Sequence, residues 1–161
     1  MNILVTGGTG FVGKSLVESL LSRGDSVTVL TRSIEKAQAV FLEKTPQFLT
    51  ALSTLKDLNE FDAVINLAGE PIFDKRWTVQ QKEKLRHSRI DLTQQLVQLI
   101  NQSEYPPALI SGSATGIYGN CGEDVISEDT NPSTQFTAQL CIDWENAAKQ
   151  ANTRVCLVRT G

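Results

Sequence analysis

The sequence predicts a doubly wound parallel α/β sheet with strand order 3-2-1-4-5-6 and helices on both faces. Three observations lead there. Short apolar, β-branched runs alternate with helical patterns along all 161 residues, and no internal repeat or low-complexity linker interrupts them. A glycine-rich turn also joins the first apolar run to the first helical pattern.

The strands are read as Ile3 to Val5, Ser26 to Leu30, a short Gln47 to Leu49, Ala63 to Leu67, Leu109 to Ser111, and Arg154 to Val158. Each is an apolar, β-branched run of the buried parallel-strand type. Helical patterns fall at about 11–23, 34–43, 79–102 and 135–150, with shorter material near 54–59. Leu16, Val17, Leu20 and Leu21 give the first helix its apolar face, and Arg23-Gly24-Asp25 closes it. Pro106-Pro107 closes the long helix before the fifth strand. In the last helix Phe136, Leu140, Trp144 and Ala147 form the expected buried stripe, with Cys141 on its margin. The whole, 1–161, reads as one domain.

Composition narrows the partners. Hydrophobic residues make up 40% of the chain and the net charge is -3, enough apolar content for one core and no basic excess for nucleic acid. The apolar runs are far short of a membrane span, and no charged n-region leads into an apolar h-region. A cytoplasmic or organelle-matrix location is therefore expected. Cys121, Cys141 and Cys156 are odd in number and lack ligand spacing, so reduced thiols are expected and no metal site. His87, the single histidine, lies in the charged stretch Lys82-Glu83-Lys84-Leu85-Arg86-His87 and reads as part of a solvated face.

Thr6-Gly7-Gly8-Thr9-Gly10-Phe11-Val12-Gly13 carries the chemistry. Gly7, Gly10 and Gly13 have the spacing that turns a strand sharply into a helix, brings backbone amides to a pyrophosphate, and packs the helix close on the sheet. Helix-start amides carry partial positive charge, so a dinucleotide is the expected ligand. The end of the second strand then selects between cofactors. NAD recognition usually places Asp or Glu there, and the 2′-phosphate of NADP is met by Arg. Here Leu30 runs into Thr31-Arg32-Ser33 with no carboxylate, so NADP is favoured over NAD. The competing reading is that Ser33 caps the next helix and Arg32 is merely solvated.

The order of these motifs, with Asp62 to Gly69 and Ser111-Gly112-Ser113-Ala114-Thr115-Gly116-Ile117-Tyr118-Gly119, resembles the extended short-chain dehydrogenase/reductases, of Rossmann fold. The blocks Asn66-Leu67-Ala68-Gly69-Glu70-Pro71-Ile72, Arg76-Trp77-Thr78, Ser88-Arg89, Trp144 to Ala148 and Arg159-Thr160-Gly161 are similar to an atypical branch, the epimerase family proteins of the NAD-dependent epimerase/dehydratase superfamily. The resemblance implies that Gly7, Thr9, Gly10, Phe11, Val12 and Gly13 line the pyrophosphate and that Thr31 and Arg32 meet the adenosine phosphate. It further implies that Leu67, Ala68 and Gly69 line the middle of the cofactor, with Arg89 turning toward the same crevice. Trp77 is expected to anchor its loop by packing.

The resemblance also implies a Tyr-x-x-x-Lys pair on the helix after the fifth strand, in which Lys lowers the Tyr pKa for proton exchange during hydride transfer. By position the four-residue step falls on Cys141 and Glu145, so the pair is absent. Ser113 is the candidate counterpart of the active-site Ser, though the segment is one residue longer than the usual Ser-x-x-x-Tyr-Gly and Ala114 is an alternative. Tyr118 is the alternative proton donor, with loop packing as its competing role. Two functions stay open: an NADP-dependent oxidoreductase or nucleotide-sugar-epimerase-like enzyme of unknown small-molecule substrate, or a non-catalytic NADP-binding regulatory protein. Members of this group are near twice this length, so a C-terminal substrate-binding part is expected to be missing. A sheet edge and apolar surface are then expected to be open, inviting association such as a homodimer.

Overall fold

In the computed structural model, which describes residues 1–42 and 44–161, six parallel strands form one sheet in the order β3-β2-β1-β4-β5-β6. They are β1 Asn2–Thr6, β2 Ser26–Leu30, β3 Gln47–Leu49, β4 Ala63–Asn66, β5 Ala108–Ala114 and β6 Val155–Thr160. The helices are α1 Phe11–Arg23, α2 Ile34–Gln38, α3 Val79–Gln102 and α4 Phe136–Ala148, with short 3-10 turns at Leu52–Thr54 and Thr115–Ile117.

The two-residue period of β1 divides the core. Ile3 and Val5 point to one side and pack with Val17, Leu20, Val27, Val29 and Phe41. Leu4 points to the other, with Val64, Leu109, and Leu96 and Ile100 of α3. Helices thus cover both faces, as right-handed crossovers from parallel strands require.

Element ends differ from expectation where tertiary contacts decide them. α2 ends at Gln38, well short of 43, because Phe41 turns into the core beside Phe48, ring centroids 6.3 Å apart; position 43 itself lies outside the described residues. β5 and β6 run past their apolar stretches, pairing Ser113 with Arg159 and Ala114 with Thr160. Cys141 is buried rather than marginal, and Glu145 is only 2% exposed, while Phe136 is half-buried. α4 therefore turns a face carrying Cys141 and Glu145 toward β5, a rotation that an apolar count alone misses because Glu145 has a buried partner. On edge strand β6, Cys156 and Val158 are exposed.

Candidate functional site

The carboxyl ends of β2, β1, β4 and β5 lie side by side, so loops far apart in sequence meet along one edge of the sheet. At the β1–α1 turn, Gly7 has φ of +69°, the left-handed region, and a Cβ there would sit 2.6 Å from the Leu67 carbonyl carbon. A Cβ on Gly13 would collide with the Gly7 carbonyl and the Gly8 backbone. These glycines let the turn and helix close on each other and on the loop after β4. Gly10 caps α1 without a side chain, and the first turn holds no acidic residue. Thr9, Gly10, Phe11 and Val12 are exposed there, with Phe11 98% open. An uncapped helix start without carboxylates presents N–H groups and positive potential, which fits a pyrophosphate.

At the end of β2, Ser33 caps α2 by accepting from the Lys36 amide at 3.4 Å, and Thr31 Oγ1 donates to the Ser33 carbonyl at 3.1 Å. Arg32 is exposed and has no hydrogen-bond partner among the described residues, one loop from the glycine turn. Helix capping by Ser33 and a free Arg32 guanidinium coexist.

After β4, Leu67, Ala68 and Gly69 cross in front of the turn. Thr6 Oγ1 donates to Asn66 Oδ1 at 2.7 Å and accepts from the Ala68 amide at 3.2 Å, tying this crossing to β1. α3 holds the next residue by both backbone groups. The Glu70 amide donates to Ser88 Oγ at 2.9 Å, and Arg89 Nη2 donates to the Glu70 carbonyl at 3.1 Å. The Glu70 carboxylate takes Lys75 Nζ at 2.9 Å, and that contact holds its pKa below the usual range. Gln81, 6% exposed on the same helix, stands beside the same carboxylate and helps to lower its pKa. Trp77 anchors the loop as expected: its Nε1 donates to the Ile72 carbonyl at 2.8 Å and its ring lies 5.7 Å from that of Phe136.

Sequence reasoning did not single out the buried polar junction behind this loop. Thr93 Oγ1 donates to the Arg89 carbonyl at 2.7 Å and accepts from Asn66 Nδ2 at 2.8 Å and from Trp144 Nε1 at 3.0 Å. One hydroxyl thereby joins β4, α3 and α4. Thr93→Val is expected to lower stability by about 3 kcal/mol, because two buried donors lose their acceptor, whereas Thr93→Ser should restore most of it. Urea unfolding checks this as a drop in midpoint at unchanged slope.

The two hydroxyls proposed for chemistry enter one network. Ser113 Oγ donates to Glu145 Oε1 at 2.7 Å. Arg159 grips the same carboxylate through Nε at 2.8 Å and Nη2 at 2.9 Å. Its Nη1 donates to the Tyr118 hydroxyl oxygen at 2.6 Å, pointing Tyr118 toward β6. Ser113 and Tyr118 are 4% and 7% exposed, so neither is open to solvent. The forked contact with Arg159 holds the Glu145 carboxyl below the usual carboxylate range. Burial pushes the Cys141 thiol up, away from a thiolate. Arg159, the single charge in the apolar strand β6, was the sequence signal for this pair; Glu145 shares α4 with Asp143 and gave no such signal. His87 is an exposed partner of Asp91, 2.7 Å away on the surface of α3.

Comparison with known proteins bears on what this edge is. The profile of the NAD dependent epimerase/dehydratase family matches residues 3–161. The chain belongs to this family. Its strand order and glycine turn are the family's NAD(P)-binding Rossmann fold. The chain is 38% identical over 169 aligned positions to the chloroplastic epimerase family protein SDR39U1 homolog of Arabidopsis thaliana, covering 100% of this chain and 48% of that protein. Among solved structures, it superposes on human epimerase family protein SDR39U1 (isoform 2), crystallised with NADPH, with a TM-score of 0.86 and 31% identity, covering 100% of this chain and 54% of the other. A nucleoside-diphosphate sugar epimerase from Corynebacterium glutamicum gives 0.80 at 30% identity, covering 100% and 34%. The chain spans about half the length of the curated relatives it matches. No helix among the described residues is long and apolar enough to cross a membrane.

Proposed function

We propose that this chain is the NADP(H)-binding part of an epimerase-family oxidoreductase or epimerase-like enzyme whose proton-transfer site differs from Tyr-x-x-x-Lys. The observation that carries the reading is the exposed guanidinium of Arg32 at the end of β2, without a hydrogen-bond partner among the described residues and with no carboxylate in the segment Thr31-Arg32-Ser33, one loop from a glycine turn of dinucleotide-binding form. The NADPH held by the human relative supports the same choice.

In this reading the amides of the turn Gly7, Thr9, Gly10, Phe11, Val12 and Gly13 take the pyrophosphate, and Arg32 with Thr31 takes the 2′-phosphate. Leu67, Ala68 and Gly69 guide the middle of the cofactor toward β5, with Arg89 beside it. The bound nicotinamide supplies hydride exchange. What the chain supplies there is a clamped loop, a shielded floor at Thr93 and Asn66, and the hydroxyls of Ser113 and Tyr118. Ser113 commits its proton to Glu145, so it meets a substrate oxygen only as an acceptor unless that bond opens. Tyr118 keeps its own proton as a donor, since its oxygen accepts from Arg159.

The same network favours a second reading, a non-catalytic NADP(H)-binding protein. Both hydroxyls already have protein partners, and the position expected for Lys carries the buried Glu145.

The cofactor assignment is tested by titrating the chain with NADPH and NADH, following nicotinamide fluorescence. NADPH is expected to bind more tightly, and Arg32→Ala to weaken it at least about tenfold, as loss of a charge-assisted contact worth roughly 1.5–3 kcal/mol requires. NADH affinity should stay unchanged. Equal loss for both cofactors, or none, would remove the 2′-phosphate role from Arg32.

A further inference from the structure

Among the described residues, Arg89 is a partly buried cation with no carboxylate in ion-pair contact, Glu70 acting on it only from farther away. Arg23, Arg86 and Arg159 each meet a carboxylate, Asp25, Asp143 and Glu145 respectively. Arg89 meets only neutral oxygens: Nη1 donates to the Leu85 carbonyl at 3.2 Å and to Ser88 Oγ at 3.4 Å, and Nη2 to the Glu70 carbonyl at 3.1 Å. Among the described residues, nothing accepts from its Nε–H or from its second Nη2–H. The group is partly buried, with Trp144 5.4 Å from Cζ to ring centroid, and that burial pulls its pKa below the usual guanidinium range. Glu70, the nearby carboxylate, is occupied by Lys75, and the nearby Cys141 thiol is held neutral by burial.

Burying a charge without an opposite one is costly, and proteins tolerate it where a charged ligand completes the pair. Gly69 adds to the case. A Cβ at Gly69 would lie 2.8 Å from Arg89 Cζ, 3.0 Å from Nη2 and 3.1 Å from Nε, so only glycine lets the guanidinium lie against the crossing loop. Gly69 thus packs directly on the guanidinium beside Cζ, Nη2 and Nε.

The order of the sheet edge says which anion fits. Arg32 stands at β2 and the amides of the glycine turn at β1, which accounts for every phosphate of the proposed cofactor. Arg89 stands beyond them, at the loop after β4 and against Trp144 of α4, on the side of Ser113 and Cys141. We propose that Arg89 binds an oxyanion of the substrate, a carboxylate or a phosphate, beside the reacting end of the cofactor. This rests on the dinucleotide reading above and names the substrate class for that site: a small acidic or phosphorylated compound. A guanidinium fork suits a planar carboxylate or a phosphate face equally, so the two sources are separated by experiment.

The test uses wild type, Arg89→Met and Arg89→Lys. Each is first titrated with NADPH, then, loaded with NADPH so that the turn and Arg32 are filled, with inorganic phosphate in one arm and acetate in the other. Chloride holds ionic strength constant. Wild type is expected to saturate with one of the two, phosphate marking a phosphorylated substrate and acetate a carboxylic acid. Arg89→Met should weaken that anion at least about tenfold and Arg89→Lys less, each by more than it weakens NADPH. Far-UV circular dichroism checks folding, and if Arg89→Met is unfolded the Lys variant carries the comparison, since it keeps the charge and loses the fork.

Failure of wild type to bind NADPH would overturn the dinucleotide reading, and this proposal with it. NADPH binding without saturation by either anion, or anion binding indifferent to Arg89, would overturn the proposal alone. So would a tenfold loss of NADPH affinity in both variants, which would make a cofactor phosphate the counter-ion.

Discussion

Gly13→Ala is expected to destabilise the chain by about 3 kcal/mol, the upper range for overpacking a close-packed contact, and to reduce NADPH affinity well over about tenfold. The atoms that the new methyl meets are the Gly7 carbonyl and the Gly8 backbone, so no side chain can swing aside to relieve the clash. Relief requires α1 to move off the turn, which carries the exposed helix-start amides away from Gly7 and from the loop at Leu67. Gly24→Ala is the control. Gly24 also has a left-handed φ, +93°, but nothing lies within 4 Å of its Cβ position and it is remote from the site. It should cost only about 1–2 kcal/mol of backbone strain and leave NADPH binding unchanged. A Gly13→Ala protein with wild-type urea midpoint and wild-type titration would contradict the packing of α1 on the turn.

Arg159→Met is expected to have the larger effect on stability, about 3–5 kcal/mol, because it strands the charge of a carboxylate whose side chain is 3% exposed. Ser113 Oγ cannot neutralise that charge, and Lys149 stands 3.9 Å away with its ammonium half in solvent. Removing both charges with Glu145→Leu and Arg159→Met should recover much of the loss, since a desolvated pair is replaced by apolar contact. The acid dependence follows from the direction of the Glu145 shift. Its folded pKa is depressed below the ordinary value of 4.5, mainly by hydrogen bonds from Arg159. The stability it contributes is therefore complete above that value and declines as pH falls through the depressed folded pKa. Urea midpoints measured from neutral pH to below 4.5 should fall less steeply in the double variant than in wild type. Identical slopes would mean that the pair does not titrate with folding.

Residues whose message is local were legible. The glycine spacing and the strand runs each act through their own backbone or nearest neighbours, so the turn and the order of the sheet followed from pattern. Residues whose message is pairwise were not. Ser113, Tyr118, Glu145 and Arg159 lie on four separate segments, and only the parallel pairing of Ser113 with Arg159, with α4 laid across it, shows that one carboxylate ties them together. Thr93 is similar: in sequence it is a polar residue inside a long helix, and in the fold it is 0% exposed and satisfies β4, α3 and α4 at once.

By itself the sequence determined a doubly wound parallel sheet with a dinucleotide turn, because hydrophobic periodicity and glycine stereochemistry are properties of contiguous residues. Only the tertiary structure decided where the charges rest. It closed Glu145 on Arg159 and, among the described residues, left Arg89 without a carboxylate in contact. A buried charge is stable or unsatisfied according to what other segments bring within a few ångströms of it, and no single stretch of chain records that.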